Sequence, residues 1–124
     1  MKKVKGIYLT FLDGDDIFEE EMMECAYKAA EKHHTDVIMY ERKHVLSEDI
    51  YHKHQILHGE MFRDRYCKSV FKVKDYMPYE FINWTLGPWN KLYRRKFIQE
   101  NCLEFQDLSC PNDVYFSCMT LMLS

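Results

Sequence analysis

The sequence predicts an α/β fold in which a small, mostly parallel sheet is flanked by helices. Three observations carry this reading: an apolar run that stops at an acidic turn, a segment of helical periodicity after it, and a second short apolar run that closes a strand, helix, strand unit. With 124 residues, 47% of them hydrophobic and 15% aromatic, the chain can bury one modest core, so residues 1–124 read as a single domain.

Lys5 to Leu12 (KGIYLTFL) is β-branched and aromatic and ends at Asp13-Gly14, the pattern of a buried strand running into a turn. From Glu19 to Lys32, Met22, Met23, Ala26, Tyr27 and Ala30 recur at helical spacing, and Glu19, Glu20 and Glu21 suit the positive end of the helix dipole. Val37 to Tyr40 then forms a second strand, expected to pair in parallel with the first through a right-handed crossover. The charged, histidine-rich middle from Glu41 to Tyr76 contains one helical stretch between Gly59 and Val73. Met77-Pro78 and Gly87-Pro88 punctuate an aromatic segment of short helix and loop around Tyr79, Phe81 and Trp84. Arg94 to Asn101 reads as a short helix with Asn101 in the left-handed C-terminal position, and Val114, Phe116, Met119, Met122 and Leu123 predict a final apolar helix.

Charge excludes one class of partner. The 17 basic and 20 acidic side chains nearly cancel, which argues against a nucleic-acid binder whose affinity rests on neutralising phosphates. The five cysteines are scattered without CxxC pairs, and reduced thiols in a cytoplasmic protein are the simplest reading. Met1-Lys2-Lys3 and the apolar run after it imitate a signal peptide, but Asp13, Asp15 and Asp16 end the run and no small-residue cleavage site follows. No apolar stretch approaches the roughly 20 residues of a membrane-spanning helix, which leaves only peripheral association with a membrane open.

The acidic cluster Asp13-Gly14-Asp15-Asp16 lies at the carboxyl end of the first strand, where open α/β sheets place ligands. Carboxylate oxygens suit a hard cation such as magnesium or manganese, which can bridge the protein and a nucleotide diphosphate. Gly14 would allow a tight turn. The alternative is an acidic turn that caps the next helix through Asp16.

Three segments bear on the choice. YLTFLDGDDIFEEEMM resembles the family 2 glycosyltransferase pattern of an apolar strand, an Asp-x-Asp-Asp motif, a hydrophobic pair and a helix. GPWNKLYRRKFIQENCLEF, from Gly87 to Phe105, resembles the segment that those GT-A type, Rossmann-like enzymes carry between the metal motif and the catalytic base. Pro111 to Phe116 (PNDVYF) falls where many of them carry an acidic pair before an apolar helix, with Asn112 replacing the more usual glutamate.

The resemblance implies a hexosyltransferase-type enzyme of polysaccharide biosynthesis. It would move a sugar from a nucleotide diphosphate sugar to a glycan or lipid-linked acceptor, with inversion and with Mg2+ or Mn2+. It implies Asp15 as principal metal ligand, Asp13 at the metal or the ribose, Asp16 as support of the turn, and Asp113 as the catalytic base. Asp113 would accept the acceptor hydroxyl's proton, a task suited to an ionised carboxylate; capping of the last helix by Asn112 or Asp113 is the competing role. Trp89, Asn90 and Lys91 would line the acceptor side, against core packing for the tryptophan and a structural turn for the other two.

The resemblance also implies that the chain corresponds to the later part of a catalytic domain, without the nucleotide-binding half that opens on a Pro-x-Tyr-Asn type turn. A small sheet would then expose an edge, to be covered by a homodimer, by exchanged elements or by the middle helices. A non-catalytic interaction or regulatory module on the same scaffold is the alternative function. His52, His54 and His58 with His33-His34 support zinc only weakly, because His54 and His58 could share one helical face but His52 would point elsewhere, and no cysteine pair completes a tetrahedral set.

Overall fold

The computed structural model describes residues 4–40, 86–109 and 112–124, all within one compact unit formed by residues 1–40 and 71–124. Its elements are β1 (Tyr8–Thr10), α1 (Met22–His33), β2 (Val37–Met39), β3 (Lys91–Arg94), α2 (Arg95–Glu100) and α3 (Val114–Leu123).

The first apolar run supplies β1 from its centre. The helix after it begins at Met22 and not at Glu19, because the amide of Met22 is already turned back onto the Glu19 carbonyl. Glu24 in the first turn and Lys32 and His33 in the last match the helix dipole, and His34 ends the helix in a left-handed conformation at φ 52°. Its buried residues, Ala26 and Ala30, are small enough to let the helix backbone approach the sheet.

The sheet corrects the predicted strand pairing. Its order is β1-β3-β2, and β3 is antiparallel to both neighbours. β1 and β2 therefore point the same way, as a strand, helix, strand unit requires, but they are not partners. The segment Lys91–Arg94 separates them. In the sequence its charged ends conceal a strand, yet Lys91, Leu92 and Tyr93 are all buried. The mostly parallel sheet is thus replaced, among the described residues, by antiparallel ladders.

Alternation along these strands sorts the core into two faces. Leu9, Tyr93 and Val37 stand in register and pack with Phe97, Ile98, Leu103 and Phe116, so α2 and α3 cover that face. Leu92 and its neighbours Tyr8 and Ile38 meet Ala26 and Ala30 of α1 on the other. The result is a three-layer α/β arrangement.

α2 follows β3 without a break, and its end differs from the expectation for Asn101. Cys102, at φ 51°, takes the left-handed position, while Asn101 stays at φ −94° and donates its side-chain Nδ2 to the Phe97 carbonyl at 2.9 Å. Bonds from Leu103 to the Ile98 carbonyl (3.0 Å) and from Cys102 to that of Gln99 (3.2 Å) complete a Schellman motif one residue later than predicted. Leu103 and Ile98 also share the core, the apolar contact that accompanies this cap.

α3 is apolar nearly all round; Phe116, Ser117, Thr120 and Leu121 are buried, whereas Val114, Tyr115, Met122 and Leu123 are exposed. No helix among the described residues is long and apolar enough to cross a membrane. The helix predicted between Gly59 and Val73, the segment around Met77-Pro78 and Trp84, and the histidines His52, His54 and His58 lie outside the described residues.

Candidate functional site

The register decides what meets at one end of the sheet. Thr10 ends β1 opposite Leu92, and Met39 ends β2 opposite Lys91, the first residue of β3. The chain leaving β1 toward Asp13, the chain leaving β2 through Tyr40, and the turn from Gly87 to Asn90 that enters β3 therefore converge there.

Asp13, Asp15 and Asp16 are exposed on the segment that leaves β1. The Asp16 amide donates to the Asp13 carbonyl at 3.4 Å, which closes a turn over Gly14 and Asp15. Gly14 does not have a positive φ, and a Cβ added there would meet nothing within 4 Å, so the turn does not depend on glycine. Nor does the turn cap α1, since the N-cap position falls at Glu21 and no side chain caps it. Their carboxylate oxygens suit a hard cation. Among the described residues no three His, Cys, Asp or Glu side chains converge into a ready metal cage.

The turn before β3 is held far more tightly. Every backbone carbonyl from Gly87 to Lys91 is engaged. Lys91 Nζ donates to the Gly87 carbonyl (2.6 Å), the Tyr93 hydroxyl to that of Pro88 (3.5 Å), and the Tyr40 hydroxyl to that of Trp89 (3.1 Å). The Tyr40 amide reaches the Asn90 carbonyl (3.1 Å) and Thr10 Oγ1 that of Lys91 (2.8 Å). Asn90 donates its Nδ2 to the Tyr40 carbonyl (3.2 Å) and accepts from Lys91 Nζ (2.9 Å). Lys91 is fully buried and Asn90 nearly so, an arrangement tolerable for an ammonium only because oxygens surround it. Trp89 is partly buried, with its indole lying over Gly87.

Asp113 stands at the N-cap position of α3 and is half-buried, but its side chain makes no capping hydrogen bond; its carbonyl accepts from the Ser117 amide at 2.9 Å. The phenol of Tyr93 connects this helix to the turn. Burial pushes the Tyr93 phenol well above the ordinary tyrosine range; a hydrogen bond with Thr120 of α3 opposes the rise, and the charges of Tyr40 and Asp113 add to it. Burial likewise raises Tyr40, against a hydrogen bond with Thr10.

The residues that sequence reasoning missed are the hydroxyls Thr10, Tyr40 and Tyr93. Each closes or sits within an apolar run, where its ring or methyl reads as core filling. The usable signal was that Thr10 and Tyr40 are the polar ends of two strands pointing to the same side.

The comparisons with known proteins bear on the family and the fold. No curated protein matches the chain. Among solved structures, the crystal structure of S. aureus TarS 1-349 in complex with UDP-GlcNAc is similar in fold, with a TM-score of 0.69 and 23% sequence identity. The match covers 98% of this chain and 31% of that chain, so this chain spans about a third of its structural neighbour. A family profile, glycosyl transferase family 2, matches residues 1–102. That match covers most of the sequence, including the acidic turn and the Gly87 to Lys91 turn, and the chain belongs to glycosyl transferase family 2.

Proposed function

We propose that residues 1–124 form one domain of a glycosyltransferase that moves a sugar from a nucleotide diphosphate sugar to a glycan or lipid-linked acceptor with inversion. The observation that carries this reading is that the strand end leading to the exposed Asp13 to Asp16 turn and the strand start that leaves the fixed Gly87 to Lys91 turn lie at the same end of the sheet, within a chain of this family. The neighbouring structure's UDP-GlcNAc supports a nucleotide-sugar donor.

In this reading Asp15 and Asp13 would hold Mg2+ or Mn2+, and Asp16 would support their turn. The donor set fits: these are oxygen ligands exposed on one turn, and the phosphates would supply further oxygens. The ion would stabilise negative charge on the departing diphosphate.

Asp113 serves as general base. Its carboxylate accepts the acceptor hydroxyl's proton while that oxygen bonds to the anomeric carbon and the bond to the diphosphate breaks. The missing capping bond leaves this carboxylate available. Trp89 presents the acceptor side, with Asn90 and Lys91 shaping the turn beneath it.

Isothermal titration with manganese and uridine diphosphate tests the reading. Binding heat is expected, and Asp15→Ala should abolish most of it. A parent protein without heat, indistinguishable from Asp15→Ala, would leave a non-catalytic interaction module as the better reading.

A further inference from the structure

We propose that Tyr40 is a positioning residue of this transferase, whose hydroxyl fixes the Trp89 turn to the strand end that leads to Asp13. The inference rests on the reading above for what the turn does, and on the hydrogen-bond geometry for how it is held.

Counting protons shows why Tyr40 matters more than its neighbours. Three oxygen contacts form a chain: Thr10 Oγ1 to the Lys91 carbonyl at 2.8 Å, Thr10 Oγ1 to the Tyr40 hydroxyl at 3.1 Å, and the Tyr40 hydroxyl to the Trp89 carbonyl at 3.1 Å. The two hydroxyls have one proton each. The shortest contact takes the Thr10 proton. The Tyr40 proton then has two acceptors at equal distance, the Thr10 oxygen on the strand and the Trp89 carbonyl on the turn.

Tyr40 is also held from both sides of its own backbone. Its amide donates to the Asn90 carbonyl and its carbonyl accepts from Asn90 Nδ2, so ring and backbone grip two successive residues of the turn. The other side-chain anchors act differently. Lys91 reaches back to Gly87 from within the same segment, and the Tyr93 contact with Pro88 is long at 3.5 Å. Only Tyr40 and Thr10, among the described residues, tie the turn to the other two strand ends through hydroxyls.

Tyr40→Phe removes one oxygen and keeps the ring. A hydrogen bond of ordinary strength corresponds to about fivefold in an opening equilibrium, so amide exchange in the 86–92 segment should quicken by about that factor. In protein labelled with 5-fluorotryptophan, the fluorine resonance of Trp89, assigned by its loss in Trp89→Phe, should shift or broaden in Tyr40→Phe. Tyr8→Phe is the control, since it deletes a hydroxyl bond to Glu31 at the opposite end of β1 and should leave the resonance in place. If Tyr40→Phe fails to fold, Thr10→Val is the second variant: it removes the competing acceptor and leaves the Tyr40 proton to the Trp89 carbonyl, so the Trp89 resonance should stay in place, and a shifted or broadened resonance there overturns the proposal. In Tyr40→Phe itself, an unmoved Trp89 resonance with unchanged exchange overturns it. Manganese and uridine diphosphate titrated into Tyr40→Phe should give the parental heat, because the aspartate turn is untouched; a lost heat overturns the assignment of Tyr40 to the acceptor-side turn. A parent without heat sinks the transferase reading instead, and the Trp89 resonance still decides whether Tyr40 holds the turn.

Discussion

Gly14 and Gly87 lie in the two turns of the candidate site, and the structure assigns them opposite sensitivities. A Cβ at Gly87 would lie 2.8 Å from Cδ1 and from Cε2 of the Trp89 indole, and closer still to Nε1. Carbon atoms in good contact sit about 3.5–4.0 Å apart, so the overlap is roughly 0.7–1.2 Å against a rigid ring. Gly87 has no positive φ, so left-handed backbone strain does not enter and the indole is the main contact an added Cβ meets. Overpacking of this kind costs about 1–3 kcal/mol. Gly14 has neither a positive φ nor any atom within 4 Å of an added Cβ. Both alanine variants stiffen the unfolded chain by a similar amount, about 0.4–1 kcal/mol in favour of folding, so that contribution cancels between them. Gly87→Ala should therefore be less stable than Gly14→Ala by about 1–3 kcal/mol, or roughly 4–12 °C in melting temperature for a domain of this size. Thermal denaturation followed by circular dichroism measures the difference, and tryptophan fluorescence reports whether the indole has swung away. Equal melting temperatures with an unchanged fluorescence spectrum would refute the packing of Trp89 over Gly87.

Two further outcomes follow from the core and from the tyrosines. Phe116 is fully buried, stacked on Phe105 at 4.5 Å and in edge contact with Phe11 and Tyr93 at 5.4 Å, so Phe116→Ala should cost about 3–5 kcal/mol in urea denaturation while exposed Tyr115→Ala stays within about 0.5 kcal/mol; a Phe116→Ala loss below about 1 kcal/mol would mean that α3 does not seat on this face. Burial first, then the bond to Glu31, pushes the Tyr8 phenol up from 10.0 to about 12, and Tyr40 and Tyr93 are raised as well. The folded state then holds protons that the unfolded state releases, so this stability is complete below pH 10.0 and is lost as pH rises toward about 12. Tyr8→Phe should make that alkaline decline shallower, and ultraviolet titration of the phenols should show them ionising late; identical alkaline profiles for parent and variant would contradict the assignment.

The elements that were legible in the sequence are those whose local pattern and tertiary role coincide. β1, α1, β2, α2 and α3 each carry a period or an apolar run that survives folding, and their positions differ from expectation by a few residues at most. β3 was hidden for a physical reason. Its four residues are Lys, Leu, Tyr and Arg, and a strand is recognised by alternation against water, whereas here the lysine is as buried as the leucine. What makes Lys91 an interior residue is the Gly87 carbonyl four positions earlier and the Asn90 amide oxygen beside it, and neither can be inferred from hydropathy. Missing β3 also misassigned the sheet, since two strands that point the same way look like partners until something is placed between them. The Schellman end of α2 slipped in a similar way: Asn101 was the better left-handed residue by type, but its side chain was needed on the Phe97 carbonyl, and Cys102 took the strained conformation.

For the candidate site, the sequence singles out the charged groups and misses the hydroxyls that fix the turn before β3. Asp13, Asp15, Asp16 and Asp113 can be found from residue type and order because their chemistry is rare. The hydroxyls of Thr10, Tyr40 and Tyr93 cannot, because their chemistry is common and only the meeting of three strand ends gives it a purpose. This division has a mechanical basis. The aspartate turn is exposed and closed by one long backbone bond of 3.4 Å, whereas the Gly87 to Lys91 turn has every carbonyl occupied. On the proposed reading, a donor-side segment that admits a cation and a diphosphate would gain from loose carboxylates whose remaining partners arrive with the ligand. An acceptor-side segment that must aim a hydroxyl at one carbon gains from a backbone fixed before anything binds. If the proposed reading holds, the contrast between the two turns is a division of labour in which adaptability sits on the aspartates and precision on the tyrosine-held turn.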